Sequence, residues 1–171
     1  MDLEHRRDEM PQVGPHAAAQ DWRDESRSIT PRVAFVSGGM GGIGTAVCRR
    51  LARAGHKVVA GCLPGYEKKD EWLRVMRKDG IHVWAAEGDV DDYASCADMI
   101  YRVRSAVGPV EVLVNAAGIT RDGLLFRMRE ADWDDVLTTN LTSCFHWTKL
   151  IGRPMTRARW GGATEPWIKV C

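Results

Sequence analysis

The sequence predicts an α/β fold in which a parallel sheet is wound with crossover helices, and two observations carry that prediction. From Arg32 onward, apolar runs of strand length alternate with amphipathic stretches of helix length, the pattern of successive strand–helix–strand units. The first apolar run, residues 33–36, also passes directly into Ser37-Gly38-Gly39-Met40-Gly41-Gly42-Ile43-Gly44 and then into a helix-like stretch over 45–54.

Each element follows from its residues. The helix after the glycines is expected to bury Ile43, Val47, Leu51 and Ala54 on one face and to stop at Gly55. Residues 58–62 form the second strand, closed by the Pro64-Gly65 turn. Trp72, Leu73 and Met76 mark a second helix ending near Gly80, and residues 81–86 read as the third strand. Asp91 or Asp92 caps a third helix carrying Cys96, Met99, Ile100, Val103 and Val107 on one stripe and ending at Gly108-Pro109. Residues 110–114 are the fourth strand. A loop over 116–129 leads to one long helix over 130–150, with Trp133, Val136, Leu137, Leu141, Cys144 and Phe145 at helical spacing and with Gly152 and Pro154 ending it. Right-handed crossovers favour the strand order 3-2-1-4, the N-terminal part of a doubly wound, Rossmann-like sheet. The predicted organisation is a disordered tail over 1–31, a dinucleotide-binding domain over 32–151 and an irregular segment over 152–171.

Composition removes several function classes. The 171 residues carry a formal net charge of +1, which gives no general attraction to nucleic acid or to an anionic membrane. Arg153, Arg157, Arg159, Trp160 and Trp167 supply bases and aromatics but no recognised motif, so no nucleic-acid partner is expected. The five cysteines include no C-x-x-C pair, which predicts reduced thiols and a cytoplasmic setting. The charged start predicts no secretory signal, and no apolar run is long enough to span a bilayer. The five histidines stand far apart without ligand spacing, so no metal site is predicted.

The glycine run is the chemical signal. Gly38-x-x-x-Gly42-x-Gly44 and Gly39-x-Gly41-x-x-Gly44 both occur in it, each a spacing that lets backbone approach phosphate oxygens at a helix N-terminus. An NAD-preferring site places an acid at the end of the second strand to bind the ribose 2′-hydroxyl. None occurs between Gly55 and Tyr66, whereas Lys68 and Lys69 follow the turn. The expected cofactor is therefore NADP(H), with Lys68 at the 2′-phosphate; the plainer alternative is a solvated helix start.

With Ser37 to Gly44, Gly88-Asp89-Val90, Asn115-Ala116-Ala117-Gly118 and Asn140 all in order, the chain resembles the short-chain dehydrogenase/reductases. The stretches Ser37 to Ala46, Val58-Val59-Ala60-Gly61-Cys62, Gly118-Ile119-Thr120-Arg121-Asp122 and Ala131-Asp132-Trp133-Asp134 resemble NADPH-dependent acetoacetyl-CoA reductases, with 3-oxoacyl carrier-protein reductases as neighbours. The resemblance implies that Gly38, Gly41, Gly42, Ile43 and Gly44 lie at the cofactor phosphates. It implies that Gly88, Asp89 and Val90 meet the adenine, although Asp89 also reads as a turn residue. It places Asn115, Ala116, Ala117, Gly118, Ile119 and Thr120 along the ribose and nicotinamide side. The family usually has a second Asn where Ala116 stands, which bears on sheet bracing more than on the nucleotide. Asp122 would sit near an acyl-CoA substrate; as a bare loop acid it reads as an ion pair with Arg121. Asn140 matches the asparagine of the family's Asn-Ser-Tyr-Lys catalytic set; alone it reads as a satisfied core polar residue. Trp133 reads as packing. The resemblance also implies a homo-oligomeric family.

The family's Tyr-x-x-x-Lys pair is absent: Tyr66 is followed four residues on by Asp70, Tyr93 by Ala97 and Tyr101 by Ser105. Gly161 to Pro166 stands where the family continues into a strand. The sequence reading is thus a cofactor half without its catalytic half, from a truncated or frame-shifted product, with the fourth strand left as a sheet edge and a tendency to associate.

Overall fold

The computed structural model describes residues 30–157; most of the expected tail, and the segment from 158 onward, lie outside the described residues. The elements run β1 (Val33–Ser37), α1 (Gly42–Arg53), β2 (Lys57–Cys62), α2 (Lys69–Lys78), β3 (Val83–Glu87), α3 (Tyr93–Ala106), β4 (Val110–Asn115), α4 (Glu130–Leu137) and α5 (Ser143–Arg157). Among the described residues the four strands are parallel, in the expected order β3-β2-β1-β4.

All five β1 residues are buried, as a strand covered on both faces requires. On one face Phe35, Val59 and Leu113 pack against Cys96, Met99 and Val103 of α3 and Trp147 and Ile151 of α5. On the other, Val36, Val58 and Ala60 pack against Cys48 of α1, Met76 of α2 and Ile81. Helix boundaries follow local chemistry. Gly55 and Gly80 take positive φ just past α1 and α2, the left-handed turn that closes a helix. Asp92 accepts hydrogen bonds from the Ala94 and Ser95 amides to cap α3.

Three sequence expectations are corrected. Ile43 is 73% exposed and does not join the buried face of α1, which is formed by Gly44 and Cys48. The expected single helix over 130–150 is divided by a π-helical turn at Thr138–Thr142. There the Ser143 amide donates to the Thr138 carbonyl five residues back, while the Ser143 hydroxyl takes up the Thr139 carbonyl. Trp133 and Leu137 already face outward before this turn, and Leu141 and Phe145 are exposed as well, whereas Thr139, Ser143, Cys144, Trp147, Ile151 and Met155 face the core. Finally, α5 does not end at Gly152 and Pro154 but carries both as far as Arg157. Pro154 is exposed.

Candidate functional site

The carboxyl ends of the strands converge on a cavity of about 470 Å³, where open parallel sheets bind ligands. Register sets this convergence: Ser37 lies level with Asn115, and Cys62 with Glu87. The buried Ser37 hydroxyl accepts from the Ala116 amide at 3.1 Å and the Ala117 amide at 3.3 Å, and donates to the Val114 carbonyl at 3.5 Å. It braces the loop after β4, so the join between the two strand ends does not depend on an amide side chain at 116.

The glycine loop is shaped by close approach. Gly38 has φ +61°, and a Cβ there would stand 2.7 Å from the Ala117 Cα. A Cβ at Gly44 would stand 2.2 Å from the Gly38 carbonyl oxygen. Gly42 differs: its Cβ direction points into open space. Helix α1 has no side-chain cap and no acid in its first turn. The Gly41 amide is taken by the Gly38 carbonyl, and the helical bonds begin with Thr45 donating to Gly41. Among the described residues, the amides of Gly42, Ile43 and Gly44 have no acceptor. These are the orphan donors of a helix start, at its positive dipole end, directly after Gly41 in the cavity wall.

The β3–α3 turn forms the adjoining wall. The Gly88 amide donates to the Cys62 carbonyl at 3.0 Å. One Asp89 carboxylate oxygen accepts from the Asp91 amide at 3.0 Å, the turn role expected of it, and Asp89 also lines the cavity. The buried His146 ring nitrogen Nδ1 lies 3.1 Å from the Val90 carbonyl oxygen, and Thr139 donates to Asp91 at 2.9 Å.

Of the residues singled out in the sequence, Gly38, Gly41, Gly88, Asp89, Val90, Ala116, Ala117, Gly118 and Ile119 line this one cavity. Asn115 is buried beneath it, with neither amide atom partnered among the described residues. Asn140 lies outside the lining but holds it: its Oδ1 accepts from the Ile119 amide at 2.8 Å and its Nδ2 donates to the Ile119 carbonyl at 3.0 Å. Thr120 and Asp122 are exposed and outside the lining. Arg121 pairs at 3.4 Å with Asp135, not with Asp122. Lys68 is exposed at the start of α2, its ammonium unpaired among the described residues. Lys69 is engaged by Glu87. Trp133, read as packing, is 50% exposed.

Sequence reasoning missed Met40, Cys62, Leu63, Tyr66, Met99, Thr139 and Trp147 in the walls. Cys62 and Leu63 were findable as the carboxyl end of β2. Thr139 lies within the π turn, and Trp147 lies past the end of the stripe read from the sequence. Burial pushes the Cys48 and Cys96 thiols up to about 12, in each case chiefly by desolvation. Burial and the Glu87 charge also raise the Cys62 thiol.

The short chain dehydrogenase family model matches residues 32–163. The chain is 48% identical over 133 residues to the acetoacetyl-CoA reductase of Cupriavidus necator, covering 78% of this chain and 54% of that protein. It is 43% identical over 133 residues to nodulation protein G of Azospirillum brasilense, with the same shares covered. A solved Serratia marcescens short-chain dehydrogenase/reductase variant superposes with a TM-score of 0.66 at 30% identity, covering 72% of this chain and 51% of that one. The chain spans about half the length of the curated relatives it matches. Among the described residues, no helix is long and apolar enough to cross a membrane. The wound sheet, the glycine loop and the family match agree: this chain belongs to the short-chain dehydrogenase family, whose members bind NAD(P)H.

Proposed function

We propose that this chain binds NADP(H) in the cavity at the strand ends and is the cofactor-holding part of a reductase of the acetoacetyl-CoA type. The observation that carries the reading is the uncapped start of α1, where three amide donors have no protein acceptor among the described residues. A pyrophosphate would satisfy them, and the open Cβ direction at Gly42 leaves room for its oxygens. Gly38 and Gly44 keep the loop tight, and Asp89 and Val90 line the cavity where the adenine would lie. Lys68 supplies the cation for a 2′-phosphate.

The bound nucleotide supplies the hydride for a 3-oxoacyl thioester. In this reading Asn140 holds the Ile119 backbone at the nicotinamide end, and exposed Asp122 faces the acyl-CoA side. A homo-oligomeric assembly is part of the same reading, as are a cytoplasmic setting and the absence of nucleic-acid, membrane and metal partners. The sequence contains no Tyr-x-x-x-Lys pair. Lack of a general acid alone costs about 10²- to 10⁴-fold in rate, so these 171 residues bind nucleotide far better than they turn it over. Fluorescence titration with NADPH, followed by an assay with acetoacetyl-CoA, tests both parts. Saturable binding with little turnover is expected; absence of binding overturns the reading.

A further inference from the structure

The acid that an NAD-type site sets at the end of β2 is missing there, yet a carboxylate stands one strand over. Glu87 ends β3, level with Cys62, and paired strands run only about 4.8 Å apart. Its Oε2 accepts from the Gly65 amide at 3.3 Å, and its Oε1 is held by the Lys69 ammonium. Cys62 at the end of β2, and Leu63 and Tyr66 of the loop that joins it to α2, line the cavity. Lys69 and Glu87 are outside the lining and each about one third exposed, so they act on the cavity through their field.

Resting on the NADP(H) reading above, we infer that Glu87 is a masked acid and that its pairing with Lys69 sets the preference between 2′-phosphate and 2′-hydroxyl. While Lys69 neutralises it, Glu87 does not repel a 2′-phosphate, and Lys68 remains free to meet one. Without Lys69, the carboxylate repels the phosphate and offers an acceptor to a ribose hydroxyl. The pair positions charge; it takes no part in proton or hydride transfer.

The test measures dissociation constants for NADPH and NADH at low salt in the parent chain, Glu87→Gln and Lys69→Met. The glutamine keeps an acceptor for the Gly65 amide, so the loop is retained. Preference for NADPH over NADH should rise about 3- to 10-fold in Glu87→Gln and fall at least about tenfold in Lys69→Met, and both shifts should shrink at high salt. A merely structural role would weaken both nucleotides alike and leave their ratio unmoved, which overturns the assignment. A parent chain that binds neither nucleotide overturns the dinucleotide reading itself, and this assignment with it.

Discussion

The side-chain amide of Asn140 and the backbone of Ile119 hydrogen-bond to each other in both directions, at 2.8 and 3.0 Å. This pairing ties the π turn between α4 and α5 to the loop after β4. It also explains Gly118, where a Cβ would lie 3.3 Å from the Asn140 oxygen. Replacing Asn140 by Ala leaves the half-buried Ile119 amide and carbonyl without their partner. Urea denaturation should show a loss of about 1–2 kcal/mol, and an unchanged midpoint would show that the bridge contributes nothing to the fold.

Two glycines of one loop should behave oppositely. Gly44→Ala forces a Cβ to within 2.2 Å of the Gly38 carbonyl oxygen and should destabilise the chain by about 1–3 kcal/mol. Gly42→Ala meets no protein atom and should leave thermal stability unchanged or raise it by up to about 1 kcal/mol. The same methyl should weaken NADPH about tenfold or more, because it occupies the phosphate approach. Thermal melts and titrations of both variants check this, and a Gly42→Ala chain that binds NADPH normally would remove the phosphate from that position.

Much of this was legible in the sequence, for reasons particular to each element. The apolar runs of β1 to β4 and the glycines at 55 and 80 are local signals, and local chemistry decides them. Of the cavity lining, Gly38, Gly41, 88–90 and 116–119 were singled out from sequence motifs. What was not legible is the outward facing of Trp133 and Leu137 in α4 and the break in the helix beyond Thr138. There Ser143 accommodates an extra residue in the helical ladder, and a 3.6-residue period carried through that point assigns Leu141 and Phe145 to the core when they face solvent. Trp147, fully buried with its ring 4.9 Å from Phe35, lies three residues beyond the buried Cys144, past the end of the stripe read from the sequence. Long-range pairings such as Lys69 with Glu87 have no signature in sequence spacing.

Lys68 is predicted to discriminate between cofactors. Its ammonium has no acidic partner among the described residues, so Lys68→Ala should weaken NADPH about tenfold while changing NADH little. Parallel titrations with the two nucleotides decide it, and equal losses would place Lys68 outside the site.

Alkaline pH should destabilise the fold through its buried thiols. Cys48 and Cys96 ionise near 9 when unfolded and only at about 12 when folded. Between those values the native state keeps protons that the unfolded chain has lost. Stability is therefore fully present below about pH 9 and falls as pH rises toward 12, by roughly 1.4 kcal/mol per pH unit for each thiol. Urea midpoints at pH 8, 9 and 10 should decline with a slope that flattens in Cys48→Ala; an identical slope in that variant would exclude the thiol as the cause.

The proposed binding rests on the first amides of α1 gripping a pyrophosphate. Amide chemical shifts recorded by NMR while NADP⁺ is added test it most directly. Binding through this helix start predicts saturable downfield movement of the Gly42, Ile43 and Gly44 amide protons, larger than at Gly55 beyond the far end of the same helix. If saturating nucleotide leaves those three resonances where they began, no pyrophosphate sits at this helix start.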